Sequence, residues 1–298
     1  MSQPPSTLTS DRPANSTQHY TWQWQGQPLQ IAYETFGSGS PILLLPPFST
    51  VSTRAEVAPL ARLLAQHYQS ITLDWPGFGD SDRPPVAYQP ELLQTFLTDF
   101  VQAQFSAPLP VIAAGHAAGY VLKLARQNVW SKIALVAPTW QGPLAVMGAP
   151  AGVRSGICNL VRSPILGQAL YYLNTRPAFL KWMFSRHVFA NPERLTPELI
   201  AERYEGTQKA GARYGPAAFV TGTLDPVATQ ADWLAIAQAV TVPFFVITAE
   251  QAPPKSTANM LALTTLSQVQ SLALPGSLGM IEESAAAIAS PMLDFLAA

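Results

Sequence analysis

Short, almost wholly apolar runs at residues 42–45 (ILLL), 71–73 (ITL), 111–114 (VIAA), 132–136 (KIALV) and 244–247 (FFVI) constrain this chain more than any other feature. They lack the strict alternation of a sheet with one wet face. Continuous runs of this length read as strands covered on both sides. Stretches with helical spacing separate them, at 57–67 with Leu60, Leu63 and Leu64 recurring, and at 91–103. The rhythm resumes late in the chain with a helix at 231–240, another at 258–266, a strand at 269–274 and a helix at 284–297. Parallel strands need a long crossover, usually a helix. The expected fold is therefore α/β, a mostly parallel sheet with helices on both faces.

Residues 20–24 and 29–33 alternate instead, as a hairpin around Gln25-Gly26-Gln27 with one face buried. After Pro138 the strand–helix rhythm stops, and Pro- and Gly-punctuated helical segments run to about Val227. This divides the chain into a core of 19–138 and 228–298 and an inserted helical cap of 139–227, placed over the carboxyl ends of the strands, where ligands bind in open sheets of this kind. Residues 1–18 are polar and rich in Pro, Ser and Thr, and are expected to be a disordered arm. The arm has no apolar signal core, and no apolar run in the chain reaches the roughly 18 residues that span a bilayer.

Of the 298 residues, 48% are apolar and only 12% charged, a surface suited to apolar contacts. The formal net charge of −1 gives nucleic-acid binding no support. It also hides a segregation. Residues 100–192 contain no Asp or Glu but eight Lys and Arg, so this stretch carries +8 and the remainder −9. Cys158 is the single cysteine, which excludes an internal disulfide and any cysteine-based metal site; no metal and no cofactor are expected.

Residues 111–120 read VIAAGHAAGY: an apolar strand, a glycine turn, then a helix. This is the setting of a nucleophile elbow, Gly-x-Ser-x-Gly, in which a strained turn lifts a serine above a sheet. The middle position is Ala117, which has nothing to donate or attack with. Further stretches fall in order with it. Leu73-Asp74-Trp75-Pro76-Gly77-Phe78-Gly79-Asp80-Ser81-Asp82-Arg83-Pro84 resembles the D-x-P-G-x-G-x-S-D-x-P segment of haloalkane dehalogenases and epoxide hydrolases, members of the α/β-hydrolase superfamily with a cap. Leu43 to Phe48 sits where such proteins carry a strand and a His-Gly oxyanion loop, and Leu274-Pro275-Gly276-Ser277 resembles the approach to their catalytic histidine. The GHAAGY elbow is also similar to that of cyanobacterial and plastid α/β-hydrolase-like proteins.

The resemblance implies a nucleophile, a histidine base and a carboxylate, and this chain holds none of them in place. Ala117 stands at the nucleophile, Ala252 at the acid, and Gly279 (or Leu278) at the histidine; no histidine follows His187. Glu250 lies two residues before the acid position and is expected to point elsewhere. The alternative acid site after 133–136 falls in the acid-free stretch. Of the four histidines, His19 is in the arm, His67 ends a helix, His187 is in the insertion, and His116 precedes Ala117 in a packing role. A His116–Asp74 pair acting on water and Cys158 as a nucleophile are weaker options than packing. Triad members act as a unit, so three separate absences read as a lost reaction. A single Ser→Ala change would leave the histidine behind.

What the resemblance leaves is a cup and a cap. Backbone N–H groups of Phe48 and Ala118 are expected to form an oxyanion-type cup, with His116, Trp75 and Trp140 beside it as ligand contacts. Pro46-Pro47 replaces His-Gly there, removing two donors. Residues 167–189 mix aromatic and aliphatic side chains with Arg176, Lys181 and Arg186. That composition fits a lid over a pocket or an interfacial helix on anionic lipid. Three functions stay open: a silent hydrolase-like protein binding an apolar small molecule, lipid or partner under its cap; a hydrolase of esters or lipids with unconventional residues; and a scaffold peripheral to an anionic membrane. The expected location is cytoplasmic or at a membrane surface, thylakoid if the cyanobacterial resemblance holds. Oligomeric state is not legible.

Overall fold

A computed structural model describes residues 16–298. Eight strands form one sheet in the order β1-β2-β4-β3-β5-β6-β7-β8: β1 (Gln18–Trp24), β2 (Gln27–Phe36), β3 (Pro41–Leu45), β4 (Gln69–Leu73), β5 (Leu109–Ala114), β6 (Trp130–Val136), β7 (Phe244–Ala249) and β8 (Val269–Leu274). The β1–β2 and β2–β4 pairs are antiparallel, and all others parallel. The hairpin turns on Gln25 and Gly26, both with positive φ (50° and 81°), as a two-residue turn matched to strand twist requires. Most of the expected arm, residues 1–15, lies outside the described residues. Its last part is a correction: Gln18 and His19 belong to β1, and the Thr17 hydroxyl accepts a 2.8 Å hydrogen bond from Arg54.

The continuous apolar runs have the expected cause. Leu43, Leu45, Val111, Ala113, Ile133 and Leu135 face one core; Ile42, Leu44, Ile112, Ala114, Ala134 and Val136 face the other. Helices α2 (Pro90–Gln104) and α3 (Ala117–Leu124) cover the first face, and α1 (Ala58–Leu64) the second. Between β6 and β7 run α4 (Pro143–Val146), α5 (Ala151–Arg162), α6 (Leu166–Asn174), α7 (Pro177–His187), α8 (Pro197–Gln208) and α9 (Tyr214–Val220). The last third adds α10 (Gln230–Gln238), α11 (Pro254–Thr264), α12 (Met280–Glu283) and α13 (Ala285–Ala297), the last covering the second face. No helix among the described residues is long and apolar enough to cross a membrane.

Buried charge fixes the loops at the strands' carboxyl ends. Arg54, 6% exposed, pairs with Glu34 of β2, with Asp74 after β4 and with Asp80. Asp74 also accepts from the N–H of Asp80 (2.7 Å), and Ser81 Oγ donates to the Asp74 carbonyl (2.8 Å). Burial works against the Asp80 carboxylate, yet hydrogen bonds from Lys209 and Arg54 hold it at about 2. A second cluster ties α8 to α12: Arg203, 3% exposed, donates to Glu282 at 2.6 Å.

Glu56 lies against that second cluster, accepting from the Thr53 N–H at 3.0 Å. Burial pushes its carboxyl from 4.5 up to about 8; Arg203 and the Thr53 N–H pull it down, Glu282 and Asp74 push it further. A folded value above the unfolded one means that its contribution is complete below about pH 4.5 and is lost progressively as pH rises to about 8. Glu56→Gln is therefore expected to raise the melting temperature relative to wild type increasingly between about pH 5 and about pH 8, with the difference level above that. A variant penalty that grows with pH contradicts this.

Candidate functional site

The turn from β5 into α3 is not strained at its central residue. The positive φ lies at Gly115 (52°), whereas Ala117 is the first residue of a regular helix and is not among the positive-φ positions. A hydroxyl placed at 117 would start from ordinary helical backbone, without the exposed pose of a nucleophile elbow. Gly119 is needed for packing: a Cβ there would lie 2.2 Å from Cγ of Pro226. The segment Leu224-Asp225-Pro226, returning from the inserted helices, thus presses directly on the elbow.

Of the two N–H groups expected to form a cup, that of Ala118 donates to the Gly115 carbonyl at 3.3 Å. Phe48 contributes its ring to the surrounding packing. Its centroid lies 4.9 Å from Trp75, 5.3 Å from Phe78, 5.6 Å from Tyr120 and 5.8 Å from His116, with Phe219 from α9 at 6.3 Å. Phe48, Trp75, His116, Ala117, Ala118 and Trp140 are each 5% exposed or less. Of the side chains expected as ligand contacts, Phe48 packs against Trp75 and His116, and His116 against Phe219.

His116 has a defined state. Its Nε2 lies 2.9 Å from the Leu224 carbonyl, and a carbonyl accepts only, so Nε2 carries the proton. Tyr120 donates to the same carbonyl at 2.8 Å. Burial lowers the imidazole to about 4, with the Leu224 bond pulling back, so the ring is neutral at neutral pH. Its Nδ1 is buried with no hydrogen-bond partner among the described residues, as is Nε1 of Trp140. Asp74 is held by Arg54 and Asp80 and does not partner His116. The carboxylate that approaches is Asp225, which sequence reasoning missed. Its Oδ1 lies 3.6 Å from Nε2, beyond hydrogen-bond reach, and accepts from the Gly142 N–H at 2.7 Å. Burial raises Asp225 to about 7 against the pull of Gly142 and Arg154. A neutral imidazole and a half-protonated carboxyl at that separation make no ion pair. A pair 109 positions apart in the chain carries no local signal.

The remaining triad positions are occupied by packing. Glu250 is solvent-exposed, and Ala252 sits in the turn after β7, its carbonyl accepting from Thr257. Gly279 donates to the Val188 carbonyl at 2.8 Å, and a Cβ at 279 would lie 2.7 Å from a Val188 methyl and 2.9 Å from its carbonyl oxygen. The end of α7 fills the place where the resemblance puts an imidazole. Cys158 is buried in α5. Among the described residues no three His, Cys, Asp or Glu cluster as metal ligands.

A family model described as "Alpha/beta hydrolase family" matches residues 42–289. Among solved structures the chain is similar to ALR0039 from Nostoc sp PCC 7120 (TM-score 0.71, 18% identity, 94% of this chain and 98% of that one). It is also similar to Cfl2 from Burkholderia cenocepacia (TM-score 0.70, 20% identity, 93% and 95%) and to the enol-lactonase from Burkholderia xenovorans LB400 (TM-score 0.66, 18% identity, 91% and 97%). At such identities the likeness shows the fold. No curated protein matches the chain.

Restoring the missing groups tests this geometry. Ala117→Ser alone is expected to stay unreactive toward a fluorophosphonate probe, because no base reaches position 117. Gly279→His is expected to destabilise by about 1–3 kcal/mol through overpacking against Val188, measured by urea unfolding. Probe labelling of the single Ser variant, or a Gly279→His variant of wild-type stability, contradicts it.

Proposed function

The chain belongs to the alpha/beta hydrolase family, and we propose that it is a member without hydrolytic chemistry whose inserted helices are its working surface, docking on an anionic membrane. The observation that carries the surface half concerns exposure. Nine of the ten exposed large hydrophobic side chains among the described residues lie between Met147 and Trp182, so the apolar contact area belongs to the inserted helices. Val153, Ile157 and Leu160 recur at i, i+4 and i+7 along α5, one helical face turned to solvent. Ile165 (82% exposed) and Leu166 (63%) follow at the start of α6, and Trp182 (53%) projects from α7.

Charge chooses the partner. The same helices carry Arg162, Arg176, Lys181 and Arg186 and no acid. Arg176 lies over the Tyr172 ring at 5.1 Å, and Arg154 is occupied by the carbonyls of Ala149 and Thr221. Exposed aromatics and aliphatics interleaved with cations describe an interfacial surface. Four bases near an anionic leaflet are worth on the order of 4 kcal/mol, about a thousandfold in affinity. The reading with an apolar ligand at the elbow draws no support from packing, since aromatic rings occupy that volume.

Two outcomes are expected. Wild-type protein neither reacts with fluorophosphonate nor turns over a panel of short- and long-chain esters; activity that survives extensive purification contradicts the silent half. In flotation, it binds phosphatidylserine vesicles more than phosphatidylcholine vesicles, binding falls with salt, and the double variant Ile165→Asp, Trp182→Asp loses at least about tenfold in partitioning. Equal partitioning to both vesicles contradicts the docking half.

A further inference from the structure

The sheet is open at β8, which pairs with β7 alone. Backbone groups of successive strand residues point to opposite sides. The Leu274 carbonyl accepts from the N–H of Glu250, just past β7, at 3.1 Å. Gln270, Leu272 and Leu274 therefore bond toward β7, and Val269, Ser271 and Ala273 turn their N–H and C=O outward. The Val269 N–H is taken by the Leu266 carbonyl at 3.0 Å; those of Ser271 and Ala273 have no bond to a described residue. Natural edge strands are guarded by charge, proline or a bulge. β8 itself, VQSLAL, has none of these, and its pairing shows no register shift. It lies within residues 256–281, the longest stretch of the chain without Asp, Glu, Lys, Arg or His.

An apolar side chain stands beside this edge. Leu261, 51% exposed, is the one exposed large hydrophobic side chain outside the inserted helices among the described residues. Helices α3, α10 and α11 follow one another across one sheet face, with α11 outermost over β7 and β8. Trp233 of α10 donates to the Asn259 carbonyl, and Leu261 stands on the opposite flank of α11, next to the open edge. We propose that β8 is a homodimer interface, pairing antiparallel with β8 of a second copy about a two-fold axis at Leu272. Two-fold symmetry brings the same strand edge of each copy together. In this register Ser271 of each copy exchanges both backbone bonds with Ala273 of the other, and the two Leu272 side chains form the closer, non-hydrogen-bonded pair. An uncharged edge meets its own copy without like-charge repulsion and offers a charged partner no complement. A strand of six residues buries too little for the roughly 800 Å2 per partner of a stable interface, so the Leu261 flank of α11 from each copy joins it. The interface uses no residue of the inserted helices and does not rest on membrane docking.

Analytical ultracentrifugation of the full chain tests it. Expected is a monomer–dimer equilibrium with the dimer dominant at tens of micromolar, and amide exchange at Ser271 and Ala273 that slows as concentration rises. Ser271→Pro deletes an outward N–H and leaves the β7 ladder intact, and Leu261→Glu puts charge on the flank. Each weakens dimerisation at least about tenfold at unchanged circular dichroism. The double variant Ile165→Asp, Trp182→Asp dimerises as the wild type does. A monomer throughout that range, a dimer unchanged by both edge variants, or a dimer dissolved by the double variant overturns the proposal. Should Ser271→Pro fail to fold, an unchanged dimer in Leu261→Glu alone overturns it.

Discussion

The packing of the Phe48 ring decides what the rest of this molecule can do. It sits at the carboxyl edge of a parallel sheet, the place where open α/β folds expose their binding crevice. There it meets Trp75, Phe78, His116 and Tyr120 from the core and Phe219 from α9. Aromatic pairs at such distances add to the energy of burying their area. The sheet, the elbow and the last inserted helix are held by one set of contacts. A fold that keeps its crevice open for substrate forgoes this packing.

Close packing surrounds the elbow and the position where the resemblance puts a histidine: Gly119 admits Pro226, Gly279 admits Val188, and the positive φ of the turn lies on Gly115. On the proposed reading the protein works through its surface. Helices α5 to α7 display exposed apolar side chains together with cations and carry no acid.

The sequence announced the sheet because doubly covered strands must be apolar at every position, and the runs at 42–45 and 111–114 alternate between two cores. That Ala117, Ala252 and Gly279 stand where the resemblance puts the nucleophile, acid and histidine is likewise readable without coordinates. Charge segregation over 100–192 was legible for the same reason. The filled crevice was not, because Phe219 reaches Phe48 across 171 positions of chain. Composition names aromatics but not which rings meet. The close approach of Pro226 to Gly119 and the hydrogen bond from Arg54 to Thr17 were likewise not legible, because each joins distant parts of the chain.

The proposed silence rests on the one imidazole at the elbow being unable to take a proton at neutral pH, and nitrogen NMR of His116, assigned against His116→Gln, reads this directly. The expected result is a neutral ring protonated on Nε2 throughout the neutral range, titrating below about pH 5. A midpoint near neutrality, or a proton shared with a carboxylate on either ring nitrogen, contradicts it and returns a general base to the site.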